Sequence, residues 1–351
     1  MRRSRAGALA ALLVAAVVGG GAALAVAQHD GDSAGASPAT SLPTATGRVT
    51  ATAPAASGTS APGTTPGARG APSTAGGRSG VRTVIVLGDS YSAGNGAGGS
   101  TGACYRSPRS ATRLYAAAVG ARVVDASCSG AVVNDLVSPD RAGNPAQDSV
   151  VDQRADVVVL TMGGNDVGFG DIVTECFLLA SGSRPGGCAD GVSRARSLLP
   201  QVQAALTDAL VQVRSRMRPD AVLVLRAYPL LAPNRPFVQQ GGYDADAGVR
   251  ALGTDGVAMQ DRVVRAVRSR VPGGAGVRTY LDTSALRLFA GHELGSGRST
   301  GTGTPGGKAS VPWFDGFQTP GADAADVYHP NALGQAAWGQ SLRTFLAPLT
   351  R

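Results

Sequence analysis

Val84-Ile85-Val86-Leu87-Gly88-Asp89-Ser90 is an apolar, mostly β-branched run that stops abruptly in Gly-Asp-Ser. A short apolar run bounded by a turn signal reads as a buried strand. The glycine allows a sharp turn there, from which a serine hydroxyl can project. Two further runs have the same build. Val157-Val158-Val159-Leu160-Thr161-Met162 ends in Gly163-Gly164-Asn165-Asp166, and Val123-Val124-Asp125-Ala126 ends in Ser127-Cys128-Ser129-Gly130-Ala131. Periodicity predicts strands over 82–87, 121–126, 156–162, 221–227 and 277–281, alternating with helices over 109–119, within 190–217, over 247–270 and over 331–346. Such alternation predicts an α/β fold, a three-layer α/β/α sandwich around a central parallel sheet, in one catalytic domain. Ligands of parallel sheets bind outside the carboxyl ends of the strands. Ser90, Gly130 and Asn165 all fall there.

A serine hydroxyl is a weak nucleophile at neutral pH and needs a base in hydrogen-bond reach, together with donors for the oxyanion formed on attack. The chain has three histidines, His29, His292 and His329. His29 lies in a segment too poor in large apolar residues to fold, which leaves two. His329 sits in Asp326-Val327-Tyr328-His329-Pro330-Asn331, with a carboxylate three residues before it that can hold one ring nitrogen and leave the other free for the serine proton. The Asn165 amide and the unobstructed Gly130 N–H are candidate oxyanion donors. Each residue also has a plainer role: Ser90 as a helix cap, Asn165 and Asp166 as turn formers, Asp326 as a cap, Pro330 as the first residue of the last helix.

Taken together, these blocks resemble the SGNH hydrolases, also called the GDSL lipase and esterase family. Gly88-Asp89-Ser90, Gly130, Gly163-Gly164-Asn165-Asp166 and Asp326-Val327-Tyr328-His329-Pro330 match the four family blocks in order, and the resemblance covers roughly residues 82 to 347. It implies that Ser90 is the nucleophile, that His329 is the general base with Asp326 orienting it, and that the Ser90 and Gly130 amides and the Asn165 side chain form the oxyanion hole. Some relatives use a backbone carbonyl in place of the acid. Cys-Ser-Gly-Ala at 128–131, the Gly291-His292-Glu293-Leu294 segment and Trp313 look most like the secreted actinobacterial lipases and esterases. In those relatives a cysteine follows the His-Glu-Leu stretch; here the place is taken by Gly295, so one family disulfide is expected to be missing.

The four cysteines, Cys104, Cys128, Cys176 and Cys188, are an even number without Cys-x-x-Cys spacing, which favours disulfides over a metal site. Three pairings are open on the residues alone. Cys104 with Cys128 and Cys176 with Cys188 give two local loops, and this is the pairing the resemblance implies.

Residues 1–27 read as a signal peptide: Met1-Arg2-Arg3-Ser4-Arg5 is a positive n-region, Ala6 to Ala25 an apolar stretch, and Ala25-Val26-Ala27 a small-residue cleavage signal. An uncleaved N-terminal anchor is the competing reading. Residues 28–80, rich in Ala, Ser, Thr, Pro and Gly, cannot bury enough apolar surface to offset ordering entropy and read as a disordered linker. Residues 81–351 form the hydrolase domain. The expected location is extracellular, with a cell-surface or cell-wall tether through the N-terminal segment as a further option. Net charge is +8; Arg2, Arg3 and Arg5 lie in the leader, which leaves +5. The arginines are scattered without interleaved aromatics, which argues against a nucleic-acid partner.

Three other enzyme classes do not fit the sequence. Gly94-Asn95-Gly96-Ala97-Gly98-Gly99 satisfies the dinucleotide fingerprint, but starts seven residues beyond Leu87 and opens no helix; it reads instead as a flexible loop on the substrate side. Ser92 stands where an α/β-hydrolase elbow needs glycine. His292-Glu293-Leu294-Gly295-Ser296 lacks the second histidine of a zinc hydrolase, so His292 reads as a packed structural residue. The expectation is a monomeric serine ester hydrolase, a lipase or carboxylesterase without metal or organic cofactor. A carbohydrate or cell-wall O-acetyl esterase is the alternative within enzymes, and an inactive surface-tethered binding protein the alternative outside them.

Overall fold

In the computed structural model the run that ends in Ser90 is the strand β1 (Thr83–Gly88), followed at once by the one-turn helix α1 (Ser90–Ala93). The structure describes residues 80–178, 186–232, 239–240, 243–273, 276–294, 311–316 and 319–350. After α1 come α2 (Ala111–Val119), β2 (Arg122–Asp125) and β3 (Val157–Thr161). Then follow α3 (Phe169–Val173), the long α4 (Gly187–Arg216), β4 (Val222–Arg226) and α5 (Ala245–Arg270). The chain ends in β5 (Thr279–Asp282), α6 (Ser284–Leu288) and α7 (Ala332–Leu346). The sequence had signalled neither α3 nor α6, each only five residues long. Pro330 is not the first residue of the last helix. Asn331 caps α7 by accepting from the Leu333 and Gly334 N–H groups, and Pro330 lies outside it.

The five long strands form one parallel sheet in the order β2-β1-β3-β4-β5. Their side chains alternate between two cores, as the two-residue period of a strand requires. Ile85, Leu87, Val158, Leu160, Leu223 and Leu225 face one core with Leu206, Leu210 and Val213 of α4 and Met259, Val263 and Val267 of α5. Val84, Val157, Val159, Val222 and Val224 face the other, against Tyr115 and Ala116 of α2 and Leu342 and Leu346 of α7. Both faces are therefore covered, which explains why these strands read as continuous apolar runs. On α4 the buried positions Val192, Ala195, Leu199, Val202, Leu206, Leu210 and Val213 recur every three or four residues, the stripe that holds a helix on a sheet.

The order places β1 between β2 and β3, so the chain leaves β1 to one side and later returns to its other side. This reversal opens a crevice at the carboxyl ends of β1 and β3. Gly88 pairs with Thr161, which sets the Ser90 turn directly beside the Gly163-Gly164-Asn165 turn. Disulfides join Cys104 to Cys128 and Cys176 to Cys188. All four cysteines are thereby used, and no third bridge can form. No helix among the described residues is long and apolar enough to cross a membrane. The leader over 1–27, nearly all of the linker over 28–80 and the Gly- and Ser-rich stretch from 295 to 310 lie outside the described residues.

Candidate active site

Gly88 makes the serine turn possible. Its φ of 111° is open to glycine, and a Cβ would stand 2.3 Å from the Thr161 carbonyl oxygen. The Gln147 side chain clamps the same residue, accepting from Gly88 N–H at 2.6 Å and donating to its carbonyl at 3.0 Å. Asp89 then caps α1, its carboxylate accepting from Tyr91 N–H at 3.1 Å. It also accepts from the Thr161 hydroxyl at 2.7 Å and from the Tyr228 hydroxyl. Burial pushes the Asp89 carboxyl up to about 6, against the pull of these donors. The cap is thus Asp89 and not Ser90, which is the first residue of the helix.

The Ser90 Oγ lies 2.8 Å from His329 Nε2. The other ring nitrogen, Nδ1, faces the Val327 carbonyl oxygen at 3.1 Å. A carbonyl can only accept, so Nδ1 carries the proton and Nε2 offers its lone pair to the serine O–H. Burial draws the imidazole down to about 4, partly offset by the Val327 and Asp326 carbonyls. The ring is accordingly neutral, as a general base must be, throughout the neutral range.

The expectation that the Asp326 side chain orients His329 is corrected by the geometry. Asp326 ends a 3₁₀ turn, Ala324–Asp326, and its carboxylate oxygens accept from main-chain N–H groups. One oxygen accepts from Gly96 N–H at 2.8 Å and the other from Asp323 N–H at 3.4 Å. Its backbone carbonyl accepts from His329 N–H at 3.0 Å. Asp326 therefore fixes the loop, while carbonyls orient the ring.

That loop is held mainly through backbone. Asp315 N–H donates to the His329 carbonyl at 3.0 Å and Tyr328 N–H to the Asp315 carbonyl at 2.8 Å. Tyr328 takes a left-handed φ of 62°, uncommon for a residue with a side chain. The Tyr91 hydroxyl, one residue from Ser90, donates to the Tyr328 carbonyl at 2.7 Å and so ties the two halves of the site together.

Asn165 and Gly130 come together from different strand ends. Asn165 Nδ2 donates to the Ala131 carbonyl at 2.8 Å, and Asp166 accepts from Val133 N–H at 3.1 Å, so this pair clamps the segment after Gly130. That bond takes one of the two hydrogens of the Asn165 amide. Gly130 has a φ of 82° and open space where a Cβ would stand.

The glycine-rich stretch after α1 is not a free loop. Asn95 is buried, and its amide donates to Ser129 Oγ at 3.1 Å and to the Ala325 carbonyl at 2.9 Å. A Cβ on Gly96 would stand 2.6 Å from the Pro330 carbonyl oxygen. The fingerprint-like spacing thus serves close packing between the serine helix, the Gly130 turn and the histidine loop. His292 lies flat on Trp313, ring centroids 3.7 Å apart, with Nδ1 on the Val311 carbonyl at 2.8 Å, as a packed residue would. Gln147, Asn95 and Tyr228 escaped the sequence reading. Only Tyr228 left a signal there: a polar aromatic at the carboxyl end of a predicted strand.

Residues 86–291 match the family model of the GDSL-like lipase/acylhydrolases. The chain belongs to that family. It is 30% identical over 256 residues to a lipase of Streptomyces rimosus, covering 72% of this chain and 82% of that protein. Among solved structures it is similar to an extracellular lipase from Streptomyces rimosus (28% identity, TM-score 0.59) and to a phospholipase A1 from Streptomyces albidoflavus NA297 (25% identity, TM-score 0.59). Each alignment covers 75% of this chain and 99% of the other. As a GDSL hydrolase the chain is a carboxylic ester hydrolase with the three-layer sheet architecture of those neighbours.

Beside the Ser90 turn this GDSL hydrolase has an apolar pocket of about 120 Å³. Tyr91, Gly164 and Phe169 stand on the side of Ser90 and His329, Leu199 lines it from α4, and Gly253 and Gly256 from α5. Phe169 also meets the His329 ring edge-on, at 6.1 Å between centroids.

Proposed function

We propose that the protein cleaves acyl esters by two-step transfer through Ser90. The observation that carries this reading is the 2.8 Å contact of Ser90 Oγ with an imidazole whose far nitrogen is fixed by a carbonyl. His329 Nε2 takes the hydroxyl proton as Oγ attacks the ester carbonyl carbon. The negative charge that builds on the carbonyl oxygen is received by the Ser90 and Gly130 N–H groups and the Asn165 amide. Collapse breaks the bond to the alcohol, which leaves with the proton from His329. Water, activated by the same imidazole, then releases the acid and frees Ser90. Every proton move belongs to His329, whose drawn-down value keeps it a competent base to about pH 4.

The pocket favours a lipid or other long acyl group over an acetylated sugar, since it is lined almost wholly by aliphatic and aromatic side chains. Gly256 faces open space at its α5 wall, so chain length has room there. Export is supported by the leader pattern of residues 1–27 and by the extracellular relative from Streptomyces rimosus. The mature domain then acts as a monomer outside the cell, its linker serving as a tether to the cell surface where the leader is retained.

Ser90→Ala tests the core of the reading. Hydrolysis of short p-nitrophenyl esters should fall by at least about 10³-fold with the protein still folded, and a variant that retains the wild-type rate would sink it. Gly256→Leu tests the substrate class. Turnover of a butyryl ester should be kept while that of a long-chain ester falls by about tenfold, the scale of one to two kcal/mol of lost pocket contact. An equal effect on both esters would move the acyl group out of this pocket.

A further inference from the structure

Acyl transfer through Ser90 gives Tyr228 no part, yet this residue joins two of the turns that supply it. Tyr228 follows β4, and its hydroxyl donates to Asp89, the cap residue next to the nucleophile. The same oxygen accepts from Gly164 N–H at 3.1 Å, next to Asn165. One phenol oxygen thus spans the Ser90 turn and the Asn165 turn. The approach is close: a Cβ on Gly164 would lie 3.3 Å from the phenol oxygen, so the second glycine of Gly163-Gly164 leaves room for the ring. The ring itself packs edge-on against Tyr91, at 5.1 Å between centroids, and forms part of the pocket wall.

We propose that Tyr228 is a positioning residue: its hydroxyl sets the spacing between the nucleophile and the Asn165 amide, and through it the geometry in which the oxyanion is received. The proposal rests on the acyl-transfer reading of Ser90 and adds to it a residue that touches no reacting atom. Donors must meet the developing charge within a fraction of an ångström, and a misplacement of about 1 Å costs about 10²-fold in rate. Bonds between Asp89, Ser92 and Thr161 hold the serine turn to the end of β3, but they stop at Thr161, short of the Gly164-Asn165 turn. Tyr228 supplies a tie there from a third strand end.

The tie depends on charge. Asp89 is the acceptor, and its carboxyl, raised to about 6 mainly by burial, is ionised at neutral pH and protonated below. The titratable groups facing it are Tyr91 on its own helix, Tyr228 beyond β4 and Asp166 beyond β3, with His329 across Ser90. Tyr228 stays protonated, because burial and the Asp89 charge raise it well above its ordinary range. Protonation of Asp89 weakens the Tyr228 bond, so the acid limb of kcat/KM should show a shoulder near pH 6 above the final loss at His329.

Tyr228→Phe in the purified full chain, assayed on a short p-nitrophenyl ester from about pH 4 to 9, reads both effects. The plateau kcat should fall about 10- to 100-fold with KM within about threefold of wild type. The shoulder near pH 6 should disappear, since protonation of Asp89 no longer has a Tyr228 bond to weaken. A kcat within about twofold of wild type and an unmoved acid limb would overturn the proposal, as would a change confined to KM. If Tyr228→Phe does not fold, 3-fluorotyrosine incorporated at position 228 keeps the packing and makes the phenol a stronger donor. The shoulder should then move to lower pH, and an unmoved shoulder overturns the proposal. Ser90→Ala measured alongside separates the two readings. Residual wild-type activity there defeats acyl transfer through Ser90, whereas an inactive Ser90→Ala beside a fully active Tyr228→Phe defeats only the role of Tyr228.

Discussion

The serine turn and the histidine loop meet at one hydrogen bond but are held in different ways. Around Ser90 the fixing groups are side chains from distant parts of the chain: the buried Gln147 on Gly88, and the buried Thr161 and half-buried Tyr228 on Asp89. Around His329 they are mostly main-chain groups: the Val327 carbonyl on the ring, Asp315 on both sides of the loop, and the Tyr328 carbonyl tied to Tyr91. Ser90 rides on a strand end, which side chains can brace. His329 arrives on a connection without a strand beneath it, so its backbone must be braced instead. Side-chain substitutions should accordingly tell at the serine turn, and backbone crowding at the histidine loop.

Gly96→Ala is the strongest way to break the comparison from the histidine side. The added methyl would stand 2.6 Å from the Pro330 carbonyl oxygen and 3.1 Å from that of His329, at a residue whose φ is 83°. Both the strain and the clash fall on main chain that cannot rotate away, so a loss of about 1–3 kcal/mol of stability is expected. The loop must shift to make room, and the imidazole moves with it. The expected fall in kcat is about 100-fold, measured with a short ester beside a thermal melt. A lowered melting temperature with unchanged kcat would show that the loop can yield without moving His329.

The same contrast decides what the sequence made legible. β1, β3 and β4 are buried on both faces, so each leaves an unbroken apolar run, and their predicted limits moved by only a residue or so. Ser90, Gly130 and Asn165 stand at turns that such runs announce. The serine brace was not legible, because Gln147 and Tyr228 reach Gly88 and Asp89 across 59 and 139 residues of chain, and no local spacing encodes such a contact. The role of Asp326 was misread for the opposite reason. Its offset from His329 is local and suggestive, but the 3₁₀ turn over Ala324–Asp326 aims the side chain at Gly96 instead. An offset of three places a carboxylate beside an imidazole on a continuous helix, and this loop is not one. Nor could the spacing Gly94-Asn95-Gly96-Ala97-Gly98-Gly99 reveal that Gly96 serves close packing, since the backbone it packs against, at Pro330, lies far along the chain.

Asp326→Asn gives the smallest effect and the finest discrimination. In a serine triad that depends on its carboxylate, the matching change costs about 10⁴-fold in kcat. Here the amide oxygen can still accept from Gly96 N–H and the Val327 carbonyl still holds the ring, so kcat should stay within about threefold of wild type, and a thousandfold loss would restore Asp326 as the orienting acid. Exchanging a charged acceptor for a neutral one should cost about 1 kcal/mol of stability. That cost should depend on pH through Asp315, whose carboxyl is raised to about 6 first by burial and then by the Asp326 charge. A carboxyl raised in the folded state stabilises the protein while protonated, and the contribution is lost as pH climbs from about 4 to about 6. Removing the Asp326 charge lowers the Asp315 value, so less is lost on that climb. The destabilisation by Asp326→Asn should therefore be larger at pH 4 than at pH 7, and denaturant melts at the two values would read the difference.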